Sequence, residues 1–294
     1  DVIDGILDAV RQQTYPVDGI LVVDNASKDG TCDRPSLNGT TVVRHAENQG
    51  TSGAIVTGMR FALEQDYDWI WVFDADSIPE PDALKKLLDL HGSLPRDQQD
   101  KTCFLSCLHI NMDDNLPQHG GIFTRFGFTR REPPPDARYY ECHFNVWSGC
   151  LFQLAAVRKI GLPNADYVLD WGEGEYGYRV MQAGYKNFVY RDAILRHNIR
   201  GYRTIVPVEV QRGSSTVTIY EFSPIRCYYS CRNILYFMLY DVKRARYRMI
   251  PRAILGPAGM TFSFLMHPRN HGRHIRACLH GIWHGATGNI AARY

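Results

Sequence analysis

The most informative segment of the chain is Asp68-Trp69-Ile70-Trp71-Val72-Phe73-Asp74-Ala75-Asp76. It is an apolar and aromatic run of strand length that ends in two aspartates separated by a single residue. Leucines then recur at helical spacing as far as Gly92. The pattern predicts a buried strand that brings two carboxylates to the carboxyl edge of a sheet, where open α/β sheets bind ligands.

Asp74 and Asp76 project from the same side of an extended strand, so both carboxylates can act on one ligand. Two hard oxygen donors at this spacing suit Mg²⁺ or Mn²⁺, which complete their coordination with phosphate oxygens. An isolated Asp-x-Asp is equally typical of a turn residue followed by a helix cap. The pair alone therefore does not decide between a metal site and a turn.

Composition limits the class of protein. The chain has 294 residues, of which 45% are hydrophobic, and a formal net charge of +2. These values predict a globular protein with a large core and argue against general nucleic-acid binding. The eight cysteines form no Cys-x-x-Cys pair, and the sequence shows no signal peptide and no apolar run of about 20 residues. We therefore expect reduced thiols in a cytoplasmic protein, although targeting information could precede Asp1.

Positive charge is concentrated towards the C-terminus. Eight arginines with little acid to balance them lie at Arg244, Arg246, Arg248, Arg252, Arg269, Arg273, Arg276 and Arg293. With the aromatic residues around them, they could lie on an anionic membrane surface or face an anionic acceptor. A solvated helical face is an equal alternative.

Strand-like and helix-like segments alternate through the first third of the chain. Residues 1–13 show a helical apolar stripe, 19–25 and 41–44 are strand-like, and a further helix runs through Leu63. This order predicts a parallel sheet with crossover helices. The Gly-rich turn 48–53 leads into the second helix. Such a helix start is suited to binding phosphate, although a tight turn needs glycine in any case.

A second informative segment is Asp170-Trp171-Gly172-Glu173-Gly174-Glu175-Tyr176-Gly177-Tyr178-Arg179, which opens a helix that ends at Gly184. Its three acids lie in the first turn or just before it, where they could act in catalysis or only complement the helix dipole. From Pro224 the chain becomes helical, aromatic and basic. We therefore expect an α/β domain over residues 1–222 and a helical region over residues 223–294.

These motifs together resemble the family 2 inverting glycosyltransferases, which have the GT-A nucleotide-diphospho-sugar transferase fold. In the first half of the chain, the resemblance rests on residues 22–31, Asn48-Gln49-Gly50 and Asp74-Ala75-Asp76. In the second half, residues 171–179 resemble the W-D-D-x-E-[FY]-G-x-R segment of galactofuranosyltransferases, and residues 228–233 are similar to a Y-x-x-R-N run of bacterial galactofuranosyl- and rhamnosyltransferases. The resemblance implies an α/β fold with a mostly parallel, Rossmann-like sheet flanked by helices, followed by a helical, basic C-terminal extension.

The resemblance also implies roles for individual residues. The donor-binding residues would be Asp24, Asn25, Asn48, Gly50 and Asp74. The acceptor-binding residues would be Trp147, Trp171 and Glu175. Asp76 and His197 would bind Mn²⁺ or Mg²⁺, and Glu173 would be the general base that deprotonates the acceptor hydroxyl. A histidine without a metal is the alternative for His197, and Asp170 and Glu175 are rivals of Glu173.

Two features depart from the family pattern. The strand that usually precedes the first helix does not occur in the sequence, which starts in that helix; either the chain is truncated or further residues precede Asp1. Gly172 stands where galactofuranosyltransferases have the first acid of their pair, and this weakens the case for galactofuranose as the donor sugar.

Inverting transfer needs one carboxylate base on the acceptor side and a Lewis acid for the departing diphosphate. We therefore predict a metal-dependent inverting glycosyltransferase that uses a UDP- or dTDP-sugar, with galactofuranose or rhamnose favoured. The acceptor would be a glycan or lipid-linked hydroxyl, reached in the cytoplasm at the inner face of the membrane. The alternative is a catalytically idle nucleotide-sugar-binding module. A sugar-1-phosphate nucleotidyltransferase is disfavoured, because no Gly-rich pyrophosphate loop with a basic residue lies near the N-terminus.

Overall fold

The computed structural model describes residues 2–125, 127–197, 206–212, 215–242, 254–262 and 272–294. Within them, the helices are α1 (Val2–Arg11), α2 (Gly50–Glu64), α3 (Ala83–Ser93), α4 (Arg96–Gln99), α5 (Leu154–Ile160), α6 (Gly172–Gln182), α7 (Pro224–Tyr236), α8 (254–262) and α9 (Gly272–Ala286). Five of the eight C-terminal arginines lie outside the described residues, namely Arg244, Arg246, Arg248, Arg252 and Arg269.

The strands are short except for two. They are β1 (Leu21–Asp24), β2 (Thr41–Arg44), β3 (Trp69–Val72), β4 (Ser77–Pro79), β5 (Thr102–Asn111), β6 (Pro117–Gln118), β7 (Gly121–Thr124), β8 (Gly127–Arg130), β9 (Tyr139–Cys142), β10 (Cys150–Gln153), β11 (Lys186–His197), β12 (Val206–Arg212) and β13 (Ser215–Glu221). A seven-stranded sheet has the order β3-β10-β5-β11-β4, with β6 on β5 and β9 on β11. The pairs β1–β2, β7–β8 and β12–β13 form separate two-stranded sheets.

The strand directions are more mixed than the sequence predicts. The pairs β1–β2 and β5–β11 are parallel, as alternation of strands and helices requires. However, β10 runs antiparallel to both of its neighbours, β3 and β5. Among the described residues between β5 and β10 there is no helix; the chain reaches β10 through the short strands of residues 112–149, so the crossover rule does not apply. The α/β class is confirmed, but "mostly parallel" is wrong for the seven-stranded sheet.

Helices cover both faces of this sheet, because β5 and β10 are apolar on both sides. Phe104 and Phe152 pack with α2, α5 and α6 on one face, whereas Leu105 and Leu151 pack with α3 on the other. Side chains alternate between faces along a strand, so each strand anchors both layers. The buried layers leave the carboxyl end of β3, with its two aspartates, at the sheet edge.

The C-terminal helices pack through glycines. A Cβ at Gly281 would lie 2.3 Å from the carbonyl oxygen of Tyr228, and one at Gly285 would lie 2.6 Å from that of Arg232. Only glycine permits this approach of α9 to α7. Among the described residues, no helix has the length and apolar character to cross a bilayer. The proposed boundary between residues 222 and 223 stays a prediction.

Candidate active site

Asp74, Asp76 and His197 come together at the end of β3. Strand β4 pairs with the end of β11 so that Ser77 lies opposite His197, and this pairing brings the imidazole beside the loop that carries the two aspartates. One ligand atom from each of the three side chains lies within 4.8 Å of the others. His197 is buried, whereas the two aspartates are half-buried.

A buried hydroxyl network supports this cluster. Ser77 Oγ lies 2.7 Å from His197 Nδ1 and 2.7 Å from Ser148 Oγ. Ser148 Oγ in turn accepts the backbone N–H of Asp74 at 3.1 Å. Since Nδ1 is engaged with Ser77, a metal bound by this imidazole would use Nε2, and the hydroxyl would fix the ring orientation as outer-shell partners do. Neither serine carries a sequence signal that would identify it as part of the site, although Ser77 directly follows Asp76.

The donor set fits a divalent cation. Burial raises the pKa of Asp74; His197 opposes this shift, and Asp76 adds to it by repulsion. A cation held between two carboxylates and an imidazole would relieve that repulsion. Mg²⁺ prefers oxygen ligands alone, so the imidazole favours Mn²⁺ of the two predicted ions.

Glu173 faces the same cavity as Asp74. The cavity is lined by Ser52, Asp74, Trp147, Asp170, Gly172 and Glu173, among others. Removal from water raises the pKa of Glu173 to about 7, and the charges of Asp170 and Asp74 contribute to the increase. A carboxyl group with a pKa near neutrality is suited to accept a proton at physiological pH.

The structure separates Glu173 from its two rivals by their partners. Asp170 is bound through both oxygens by Arg226, at 2.7 and 3.2 Å. Glu175 is buried and bound through both oxygens by Arg179. Apart from the backbone amide of Glu173 itself, which lowers the pKa of this carboxyl group, no described residue forms a hydrogen bond or an ion pair with it. Of the three acids, Glu173 is therefore the one able to take a proton from a ligand.

Glycine at position 172 is a packing requirement of this chain. A Cβ there would lie 2.4 Å from Ser52 Oγ and 2.9 Å from Trp147. Ser52 cannot easily move, because its hydroxyl donates to the carbonyl of Tyr167 at 2.5 Å. The aspartate of the galactofuranosyltransferase segment would therefore not fit at the start of α6 without displacing one wall of the cavity.

The predicted acceptor-binding residues occupy different places. Trp147 is buried in the cavity wall beside Gly172. Trp171 precedes α6 with a φ of 68° and packs on Phe128 and Phe237, with ring centroids 4.7 and 5.7 Å away. Glu175 holds Arg179, and its geometry gives no support to a direct acceptor contact.

The predicted donor-binding residues form a linked loop system. Asn25 donates to the carbonyl of Gly50 at 2.9 Å and accepts from the backbone N–H of Gln49 at 3.1 Å. Burial opposes ionisation of Asp24, but hydrogen bonds from Ser27 and Cys32 hold its pKa below the usual value. A Cβ at Gly50, whose φ is 71°, would lie 2.0 Å from the carbonyl oxygen of Val168.

The sequence predicts that the start of α2 suits phosphate binding, but its first two backbone N–H groups are not available for this. The N–H of Gly50 donates to the exposed Asn48 at 2.7 Å, and the N–H of Thr51 donates to Val168 at 2.9 Å. Because both N–H groups already donate hydrogen bonds, the turn connects the loops predicted to bind the nucleotide sugar to the segment before α6. It does not offer these amides to a phosphate.

Two solved structures have a similar fold. TarS residues 1–349 of S. aureus, in complex with UDP-GlcNAc, matches 98% of this chain and 84% of its own with a TM-score of 0.54 at 13% identity. GalNAc-T7, solved with UDP, GalNAc and Mn²⁺, matches 66% of this chain and 40% of its own with a TM-score of 0.54 at 15% identity. Both are glycosyltransferases of the GT-A fold, so the predicted fold is confirmed.

Sequence relatives place the chain within that class. It is 25% identical over 202 residues to the galactofuranosyltransferase GlfT1 of Mycobacterium tuberculosis, covering 65% of this chain and 64% of the relative. It is 37% identical over 86 residues to the undecaprenyl-phosphate mannosyltransferase of Micrococcus luteus, covering 26% of this chain and 34% of the relative. The chain thus spans from 34% to 64% of the length of these relatives.

The family model described as Glycosyl transferase family 2 matches residues 1–161, more than half of the chain. The chain therefore belongs to glycosyl transferase family 2, as the motifs predict. The match includes Asp24, Asp74 and Asp76 but ends before Glu173 and His197.

Proposed function

We propose that this glycosyltransferase domain catalyses metal-dependent, inverting transfer of a sugar from a UDP- or dTDP-sugar to a hydroxyl of a glycan or lipid-linked acceptor. The observation that carries the proposal is that Glu173, whose carboxylate forms no ion pair with any described residue, lines the cavity that also contains Asp74. One cavity thereby holds a base for the acceptor and the start of a cation site for the donor.

Each residue has a defined part in this chemistry. Glu173 accepts the proton of the acceptor hydroxyl as the oxygen attacks the anomeric carbon. Asp76, His197 and Asp74 would hold the cation, which would neutralise the charge that develops on the departing nucleoside diphosphate. Ser77 and Ser148 keep His197 and Asp74 in place. Trp147 closes one wall of the cavity and limits the access of water.

The similarity to a galactofuranosyltransferase over 202 residues supports galactofuranose as the donor sugar. The Y-x-x-R-N run is common to galactofuranosyl- and rhamnosyltransferases, so rhamnose remains the second candidate donor sugar. Gly172 is required by packing against Ser52 and Trp147, so its presence does not decide between the two sugars.

The test is nucleoside diphosphate release from a panel of UDP- and dTDP-sugars, with Mn²⁺ and with EDTA. We expect release from one donor, at least tenfold faster with Mn²⁺ than with EDTA. The panel includes UDP-galactofuranose and dTDP-rhamnose, with GDP-mannose as a mismatched control. Binding of UDP or dTDP without release from any donor would instead identify an idle nucleotide-sugar-binding module.

We also propose that the C-terminal region lies on an anionic membrane surface on the cytoplasmic side. From Val242 to Tyr294 the sequence contains nine Lys and Arg residues and no Asp or Glu. On α9, Leu279 and Trp283 share an outer face and are 54% and 67% exposed. Exposed tryptophan among basic residues is typical of helices that bind at the membrane interface.

Replacing Leu279 and Trp283 together by serine should lower binding to vesicles with 30% phosphatidylserine by about tenfold or more, because both apolar side chains leave the interface. Co-sedimentation measures the change, and Tyr15→Ser, which alters an exposed aromatic residue far from α9 in sequence, is the control. Equal binding of the double variant and the unaltered protein would contradict the membrane proposal. Binding that does not depend on phosphatidylserine would do so as well.

A further inference from the structure

We propose that Arg226, Ser230 and Asn233 of α7 are positioning residues that hold the turn Asp170–Trp171 and thereby fix the place of Glu173 in the cavity. The three residues recur at intervals of four and three and so lie on one face of the helix. The inference rests on the proposed function, in which Glu173 is the base.

The turn that α7 contacts is strained. Asp170 and Trp171 have φ angles of 61° and 68°, two consecutive left-handed residues without a glycine between them. Side-chain-bearing residues keep this conformation only where the surrounding contacts over-determine it, and such strain clusters at active sites. Gly172 and Glu173 follow at once, so the path of this turn decides where Glu173 is presented.

The contacts from α7 reach the backbone and the side chain of the turn. Asn233 donates to the carbonyls of Leu169 and Asp170, at 2.7 and 2.8 Å. Ser230 donates to the Asp170 carboxylate at 2.5 Å, and Arg226 binds the same carboxylate through two nitrogens. The backbone carbonyl of Asp170 and both of its carboxylate oxygens are therefore held by one helix face.

The amide of Asn233 is itself oriented. The fully buried Arg232 donates to Asn233 Oδ1 at 2.8 Å and stacks on the ring of Tyr229, with its guanidinium 4.7 Å from the ring centroid. With the oxygen of the amide taken, its N–H₂ group faces the turn. On the opposite side, Gly172 packs against Ser52 and Trp147. The start of α6 is thus fixed from two directions.

The ion pair between Arg226 and Asp170 also leaves the Glu173 carboxylate available for the acceptor. In the part of the chain that the structure describes, the charged and titratable groups that act on Glu173 are Asp170 before α6, Asp74 after β3, Cys150 of β10 and Arg226 of α7. Arg226 is the cation among these four groups. Because Asp170 binds the Arg226 guanidinium at two points, this charge is balanced locally and the Glu173 carboxylate is left for the acceptor.

Two substitutions should shift the pH dependence in opposite directions. Asp170→Asn removes a negative charge that raises the pKa of Glu173 and keeps the positive charge of Arg226, so the pH midpoint of kcat/KM should fall by about half a unit or more. Arg226→Met leaves the Asp170 carboxylate unbalanced, so the midpoint should rise by a similar amount. The double variant should return close to the original midpoint. Asn233→Ala, which loses the contacts to two carbonyls and the acceptor of Arg232 but no charge, should reduce kcat about tenfold or more without moving the midpoint.

The second readout does not need activity. The ¹³C resonance of the Glu173 carboxyl, assigned by its loss in Glu173→Gln, should titrate with the same opposite shifts. The control is Arg138→Met, which breaks an exposed Arg–Asp ion pair with Asp192. It should leave the titration of the Glu173 carboxyl group unchanged. If Arg226→Met fails to fold, Arg226→Lys keeps the charge, and its midpoint should stay within about 0.3 units of the original.

Undiminished kcat in folded Asn233→Ala, or midpoints that shift in one common direction or not at all in the other folded variants, would overturn the positioning role. Opposite shifts of the Glu173 resonance together with undiminished turnover by Glu173→Gln would support the role of α7 and reject Glu173 as the base. The failure of the inference and the failure of the proposed function are therefore distinguishable.

Discussion

Replacing Glu173 by glutamine should lower kcat/KM for sugar transfer by about 10²- to 10⁴-fold, the usual contribution of a general base. Glutamine keeps the shape of the side chain but cannot accept the proton of the acceptor hydroxyl. In the unaltered protein, kcat/KM should rise with pH and level off above about 7, because the pKa of Glu173 is raised to about 7 by removal from water and by Asp170 and Asp74. Initial rates across pH 5–9 measure both effects.

The same substitution should stabilise the protein at high pH. A carboxyl group whose pKa is higher in the folded than in the unfolded state opposes folding once it ionises, fully above pH 7 and negligibly below its ordinary pKa. Glu173→Gln removes this penalty, roughly 1–3 kcal/mol, so its melting temperature in EDTA should exceed that of the unaltered protein by several degrees at pH 8 and match it near pH 4.5.

Glu64→Gln is the matched control, since Glu64 is exposed at the end of α2. It should change neither the rate nor the melting temperature. A Glu173→Gln protein with full activity would reject Glu173 as the base. Equal melting temperatures at pH 8 would show that the carboxylate is solvated in the folded protein.

The sequence predicts the frame of the fold well, because that frame depends on local patterns. Runs such as 69–72 and 102–111 are apolar enough to be buried on both faces, and the helices between them follow from apolar spacing. The direction of β10 could not be predicted in this way. Its pairing with β3 and β5 depends on the return of the chain after residues 112–149, which no local pattern specifies.

The metal cluster could be predicted in part. Asp74 and Asp76 follow from their place after a strand, whereas His197 was identified only through the family resemblance. Their meeting depends on the antiparallel pairing of β4 with β11, a contact between segments 120 residues apart in sequence. The sequence contains no local signal for that pairing.

The sequence alone also does not decide which of Asp170, Glu173 and Glu175 is the base. All three lie within one turn of a helix start, and the sequence does not show which carboxylates are paired. Arg179 is four residues from Glu175, so that pair follows a helical rule. Arg226, in contrast, is 56 residues from Asp170. The spacing of Arg226, Ser230 and Asn233 indicates that they share one face of a helix. It does not indicate that this face contacts Asp170.

Replacing Asp76 by asparagine should lower Mn²⁺ affinity by about 100-fold or more and reduce metal-dependent turnover to the level seen with EDTA. Removing groups that only support a ligand typically costs 10- to 100-fold in affinity, and a ligand carboxylate contributes its charge in addition. Electron paramagnetic resonance of free Mn²⁺ measures the binding without substrate, and the release assay measures turnover.

Asp82→Asn is the control, because Asp82 lies six residues further on and only forms an ion pair with Lys86 on the surface, at 2.9 Å. It should bind Mn²⁺ as the unaltered protein does. Ser77→Ala should fall between the two, since it keeps all three ligands but removes the hydroxyl that contacts His197 Nδ1 and helps to orient the ring. This graded order would distinguish a supported site of two carboxylates and an imidazole from a loose acidic patch. In an acidic patch, the loss of Ser77 would leave Mn²⁺ affinity unchanged, because no ring orientation would matter.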